Sequence, residues 1–129
     1  MNLNDYNTLQ SKENTNQIAI DFDGVLHKNT KGFYDGTVYD EPVEGAIEAI
    51  KSLSQKYEIV IFTAKAKPDR PLVNGKTGAE LIWDWLKKYN IQQYIKQVTS
   101  EKPRAILYID DKAIRFESWK QTTQIFNTK

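Results

Sequence analysis

The sequence predicts an α/β domain built on a mostly parallel sheet. Three observations carry that prediction. Short continuous apolar runs stand at residues 18–20, 59–62 and 105–109, as expected of strands buried on both faces. Stretches with helical spacing of apolar residues separate the runs, so strands and helices alternate as βαβ units joined by right-handed crossovers. Each run also stops at a polar group: Asp21, Thr63 or Asp110.

Size and composition narrow the function classes. A chain of 129 residues with 40% hydrophobic and 27% charged residues is expected to form one domain with a core of its own. The net charge of +1 gives no whole-molecule argument for nucleic-acid or membrane binding. Without cysteine there is no disulfide, thiolate nucleophile or Cys-based zinc site, and a single histidine, His27, argues against multi-histidine metal sites and a Ser-His-Asp triad. No secretory signal or bilayer-length apolar run is visible, so the expected location is the cytoplasm.

Taken in order, residues 1–16 read as a flexible polar leader and 17–129 as a single domain without a separate cap. The first strand runs straight into Asp21-Phe22-Asp23-Gly24. Alternation along an extended backbone puts both acids on one side, and Gly24 lets the chain turn without a Cβ penalty. Asp-x-Asp-Gly also suits a plain turn. Turn residues and aromatics then fill 26–40, and Asp35-Gly36 suits a two-residue hairpin, so a small β-flap is expected over the strand end. On that flap His27 is either a substrate contact or a polar surface residue.

Pro42 suits the first turn of a helix, and Val43, Ala46, Ile47, Ile50 and Leu53 follow as one apolar stripe. After the 59–62 strand, a loop over 64–76 carries Lys65, Lys67, Arg70 and Lys76 against Asp69 alone. Such a loop is either simply solvated or a contact for an anionic substrate through Lys65, Lys67 and Arg70. Leu81, Ile82, Trp85, Leu86 and Tyr89 mark a second helix over 77–89, and 95–98 reads as a marginal strand. Pro103 keeps Lys102 extended ahead of the 105–109 strand. A short helical turn through Ile114 and Phe116 and an edge strand over 124–126 complete the chain.

Parallel strands share one carboxyl edge, where open α/β sheets hold their ligands. Asp21, Asp23, Thr63, Asp110 and Asp111 therefore converge there, with Lys102 on the loop feeding the last strand. Carboxylates so close together call for a cation, and Mg²⁺ takes one or two carboxylates plus water and a substrate phosphate. A hydroxyl and a lysine beside them suit phosphoryl oxygens. One carboxylate can attack phosphorus while a second shuttles the proton.

Asp21-Phe22-Asp23-Gly24, Thr63 after an apolar strand, Lys102-Pro103, and Asp110-Asp111 after a further strand resemble the four ordered motifs of the haloacid dehalogenase superfamily. The likeness spans roughly residues 18–116. It implies a three-layer Rossmann-like domain and a Mg²⁺-dependent phosphatase, a phosphomonoester hydrolase. Asp21 would be nucleophile and metal ligand, and Asp23 the general acid/base with its carbonyl on the metal. Thr63 and Lys102 would hold the phosphoryl group, and Asp110 and Asp111 would hold the metal, directly or through water. Asp at position 23 is similar to the phosphatase and mutase branches.

The spacing departs from the family where cap domains are inserted, so the resemblance is to a capless or minimally capped member. Its substrate is then a small phosphomonoester or a phosphate on a polynucleotide or protein, and a second copy of the chain is one candidate cover for the open cleft. A phosphoacceptor receiver domain uses similar residues, but its acidic pair comes first and its Lys-Pro last, the reverse of the order here. A catalytically idle module that binds metal and phosphoryl groups is the other alternative.

Overall fold

The computed structural model describes residues 16–109 together with 119 and 120. Residues 1–15, Asp110 and Asp111, and the segments where a helical turn through Ile114 and Phe116 and an edge strand over 124–126 are expected lie outside the described residues.

Within them the order is β1 (Gln17–Ile20), α1 (Ala46–Leu53), β2 (Glu58–Phe62), α2 (Gly78–Lys88), β3 (Ile95–Thr99) and β4 (Leu107–Ile109). The sheet order is β3-β2-β1-β4, and every pairing is parallel. Ile18 pairs with Ile59 on one side and Leu107 on the other, and Ile20 with Ile61 and Ile109. The chain thus steps outward from β1 to β3 and then crosses to the far side of β1 to form β4. That reversal makes the carboxyl ends of β1 and β4 a topological switch point, where open α/β sheets leave a crevice.

The apolar runs read from sequence are the central strands because burial on both faces leaves no place for a polar side chain. Ile18, Ile20, Ile59, Val60 and Ile61 are fully buried. The marginal β3 lies at the sheet edge, where Lys96 and Gln97 are exposed. The core closes with Ala46, Ala49, Ile50 and Leu53 from α1 and Ile82, Trp85 and Leu86 from α2. A capping box starts α2: Thr77 Oγ1 accepts from the Glu80 N–H at 3.1 Å, and Glu80 Oε1 accepts from the Thr77 N–H at 3.0 Å. No helix among the described residues is long and apolar enough to cross a membrane.

Two local expectations are corrected. Residues 28–41 form no β-flap but a loop of successive turns. Asp35 Oδ1 accepts from both the Thr37 N–H and hydroxyl, at 3.0 and 2.6 Å, so the side chain offers the local backbone a partner other than a strand. Nor does Pro42 open α1. It pairs with His27 in an isolated antiparallel bridge, the Val43 N–H donates to the Leu26 carbonyl at 2.8 Å, and Gly45 at φ +84° delays the helix to Ala46.

Candidate active site at the carboxyl edge of the sheet

Asp21 follows the last residue of β1 and still belongs to its ladder, because its N–H donates to the Ile109 carbonyl at 3.1 Å. Its Oδ1 accepts from the Phe22 N–H at 2.7 Å. The chain then winds into one tight turn. The Phe22 carbonyl accepts from the N–H groups of Val25, Leu26 and His27, at 3.1, 2.8 and 3.0 Å, and Gly24, at φ +83°, donates back to the His27 carbonyl at 2.8 Å. Alternation persists through this segment. The Phe22 ring is fully buried, while Asp21 and Asp23 on either side of it are partly exposed.

The turn brings Asp23 and His27 together at i, i+4. Asp23 Oδ1 lies 2.9 Å from His27 Nδ1, and His27 Nε2 accepts the Asp40 N–H at 2.9 Å. An Nε2 that accepts carries no proton, so the ring is the neutral Nδ1–H tautomer and donates to the carboxylate. Trp85 Nε1 donates to the Asp40 carbonyl at 2.8 Å, so the Asp40 peptide is held on both sides. The imidazole stacks on Phe22, with centroids 5.4 Å apart, and meets Tyr39 and Trp85 edge-on at 5.2 and 5.8 Å. His27 is therefore not a polar surface residue. It is fully buried and orients Asp23.

The other oxygen of Asp23 faces Lys65, whose Nζ lies 3.4 Å from Oδ2, with the lysine side chain 7% exposed and Asp23 28% exposed. Burial pushes the Asp23 carboxyl up, but the His27 hydrogen bond and the Lys65 charge together outweigh it and hold the pKa below the ordinary value. Lys65 stands there because β2 ends one turn earlier. Thr63, buried, donates its N–H to the Thr99 carbonyl at 2.9 Å and caps the 3-10 turn Ala64–Ala66 by accepting the Lys65 N–H on Oγ1 at 3.3 Å. From the other side α2 presses on the Lys65 backbone. A Cβ on Gly78 would lie 1.8 Å from the Lys65 carbonyl oxygen, so only glycine fits.

The remaining expected site residues are spread differently. Lys102 is exposed, with its ammonium 4.8 Å from the centroid of the Tyr108 ring, and among the described residues Lys65 is the lysine within ion-pair distance of Asp23. Lys67 and Arg70 are exposed on the loop after β2. Asp110 and Asp111 fall outside the described residues, among which no cluster of three metal-ligating side chains occurs. Asp21 nonetheless supplies a hard oxygen donor of the kind Mg²⁺ takes, and the chain has no cysteine thiolate.

The roles of His27, Lys65 and Gly78 are hard to see in sequence. The visible signals are the i, i+4 spacing of Asp23 and His27 after a strand, and a lysine two residues beyond Thr63. No protein-family model matches the chain, and neither does any curated protein or solved structure.

Proposed function

We propose that this chain is a Mg²⁺-dependent phosphomonoesterase of the haloacid dehalogenase type, working through a phosphorylated Asp21. One observation supports the reading above all. Asp21, Asp23, Thr63 and Lys65 leave adjacent strands at one carboxyl edge, beside the switch point, and Asp23 is held there by a buried imidazole and a buried ammonium.

In this reading Asp21 attacks phosphorus, and the alcohol leaves with a proton from Asp23. Asp23 then takes a proton from the water that cleaves the acyl phosphate. His27 fixes the direction of the Asp23 carboxyl, and Lys65 and Thr63 hold phosphoryl oxygens. A phosphate that draws Lys65 toward itself also removes one of the influences that keep Asp23 ionised, which favours the protonated acid when substrate is bound. Asp21, the Asp23 carbonyl, Asp110 and Asp111 would hold Mg²⁺, which when bound offsets the repulsion between an anionic nucleophile and an anionic substrate.

The test is hydrolysis of an aryl phosphate and of glycerol 2-phosphate by wild type and Asp21→Asn, each with Mg²⁺ and with a chelator. Metal-dependent turnover that vanishes in the variant is expected. Near-normal hydrolysis by Asp21→Asn overturns the nucleophile assignment.

A second reading, a phosphoryl-binding module without turnover, is favoured by the engagement of both Asp23 oxygens, one by His27 and one by Lys65. It predicts an Asp21 that accepts phosphate or beryllofluoride and keeps it, with no release of alcohol beyond one equivalent.

A further inference from the structure

Two loops leave the candidate site, one after His27 and one from Lys65, and touch each other. Residues 28–41 are tied at their base by the Lys28 N–H to the Glu41 carbonyl at 3.0 Å. Residues 64–76 follow β2 and begin beside Lys65. The loops touch where the Arg70 guanidinium lies 5.9 Å from the Phe33 ring centroid and where Val73 and Phe33 crowd Gly36. Together they form a rim joined to the site by side chains in series: Tyr34 meets Tyr39 edge-on at 5.4 Å, Tyr39 meets His27 at 5.2 Å, and His27 bonds Asp23.

Large side chains on this rim keep most of their surface in solvent. Phe33, Tyr34 and Leu72 are 64%, 60% and 61% exposed. Tyr39 holds the 28–41 loop by accepting the Lys31 N–H at 2.6 Å, and its hydroxyl lies 3.0 Å from the Gly32 carbonyl. Cations alternate with the exposed rings. Lys31 Nζ lies 4.5 Å from the Tyr34 centroid, Arg70 faces Phe33, and Lys67 is exposed on the same loop.

Protein docking favours a contiguous apolar patch, whereas exposed rings interleaved with cations suit bases that stack and phosphates that pair. Two ring contacts and one hydrogen bond connect Tyr34 to Asp23, so a base on the Tyr34 ring and a phosphate at Asp21 are assigned to one or two linked nucleotides. We infer that this rim binds a nucleotidyl phosphate, free or at the end of a single strand, with the base on Tyr34 and Phe33 and further phosphates on Lys31, Lys67 and Arg70. The placing of the reacting phosphate rests on the phosphatase reading, so the test includes an arm that needs no turnover.

That arm is fluorescence anisotropy of a 3′-labelled, 5′-phosphorylated octathymidylate with wild type, Phe33→Ala/Tyr34→Ala and Tyr34→Phe. Binding is expected to weaken about tenfold or more in the double variant, the loss of a stacked base, and to survive in Tyr34→Phe. In the kinetic arm, kcat/KM on the oligonucleotide and on thymidine 5′-monophosphate is divided by that on glycerol 2-phosphate. A fall in the double variant for the oligonucleotide alone assigns a strand end, and a fall for both assigns a free nucleotide. Absence of binding by wild type, or equal binding by wild type and double variant, overturns the inference. Binding that is lost in the double variant, with no hydrolysis of any substrate, retains the rim and overturns the phosphatase reading alone.

Discussion

The ammonium of Lys65 lies 3.4 Å from Asp23 Oδ2 with its side chain almost wholly removed from solvent. A buried ammonium requires an anion, and among the described residues the hydrogen bond to the other oxygen of that carboxylate comes from the neutral His27 ring. The pair is thus a built feature of the carboxyl edge and sets the first expectation for catalysis.

Replacing Lys65 with Met removes a charge aimed at the place where phosphoryl oxygens would sit. The expected loss in kcat is about 10²–10³-fold, the scale of one preorganised electrostatic donor. Lys102→Met is expected to cost clearly less, because its ammonium lies over Tyr108. Steady-state kinetics on one small phosphomonoester compares the two, and an equal or larger loss in the Lys102 variant refutes the assignment.

His27→Leu fills similar space but satisfies neither the Asp40 N–H nor Asp23 Oδ1. Leaving a buried donor unpaired costs about 1–3 kcal/mol. Urea unfolding should therefore show a lower midpoint with an unchanged slope, and His27→Gln should recover part of the loss. A midpoint equal to wild type means that the imidazole supports nothing.

Gly78→Ala separates propensity from packing by sign. Within a helix alanine is favoured over glycine by roughly 0.5–1 kcal/mol. Here the added Cβ would meet the Lys65 carbonyl at 1.8 Å, so a shift of backbone is forced, and overpacking of this kind costs about 1–3 kcal/mol. Net destabilisation accompanied by reduced turnover is expected. A more stable and fully active variant would show that Lys65 is not held by this contact.

Asp40 shapes the acid limb of stability. Thr30 donates its hydroxyl and N–H to Asp40 Oδ2, and the Glu41 N–H donates to Oδ1, which lowers the pKa from 3.8 to about 2. The unfolded chain takes up this proton first, so the contribution is complete above 3.8 and disappears as pH falls toward about 2. Asp40→Asn is expected to flatten the stability-versus-pH curve between those values, as measured by thermal unfolding across that range. Parallel curves for the two proteins count against the linkage.

Much of the fold was legible because burial on two faces imposes a plain pattern. Ile59, Val60 and Ile61 could only be a central strand, and the stripe Ile82, Trp85, Leu86 could only face a core. Asp21 and Asp23 were legible at a strand end for the same reason, since a continuous apolar run stops where the backbone leaves the sheet. The segment over 28–41 was not. Its turn residues announce turns, but Asp35 and Asp40 bond their own loop rather than a facing strand.

By itself the sequence determined an α/β order of elements, a parallel sheet, and a line of polar groups at its carboxyl edge, because periodicity and strand ends are local properties. Only the tertiary structure decided which cation meets Asp23 and what His27 does. Lys65 and Lys102 are equivalent as charges along the chain, but one lies within a 3-10 turn wedged against Gly78 and the other stands in solvent. His27 is polar in sequence, yet its two nitrogens find Asp23 and the Asp40 peptide inside an aromatic wall. Burial of a polar side chain depends on partners that folding brings together from distant parts of the chain, and no local pattern encodes them.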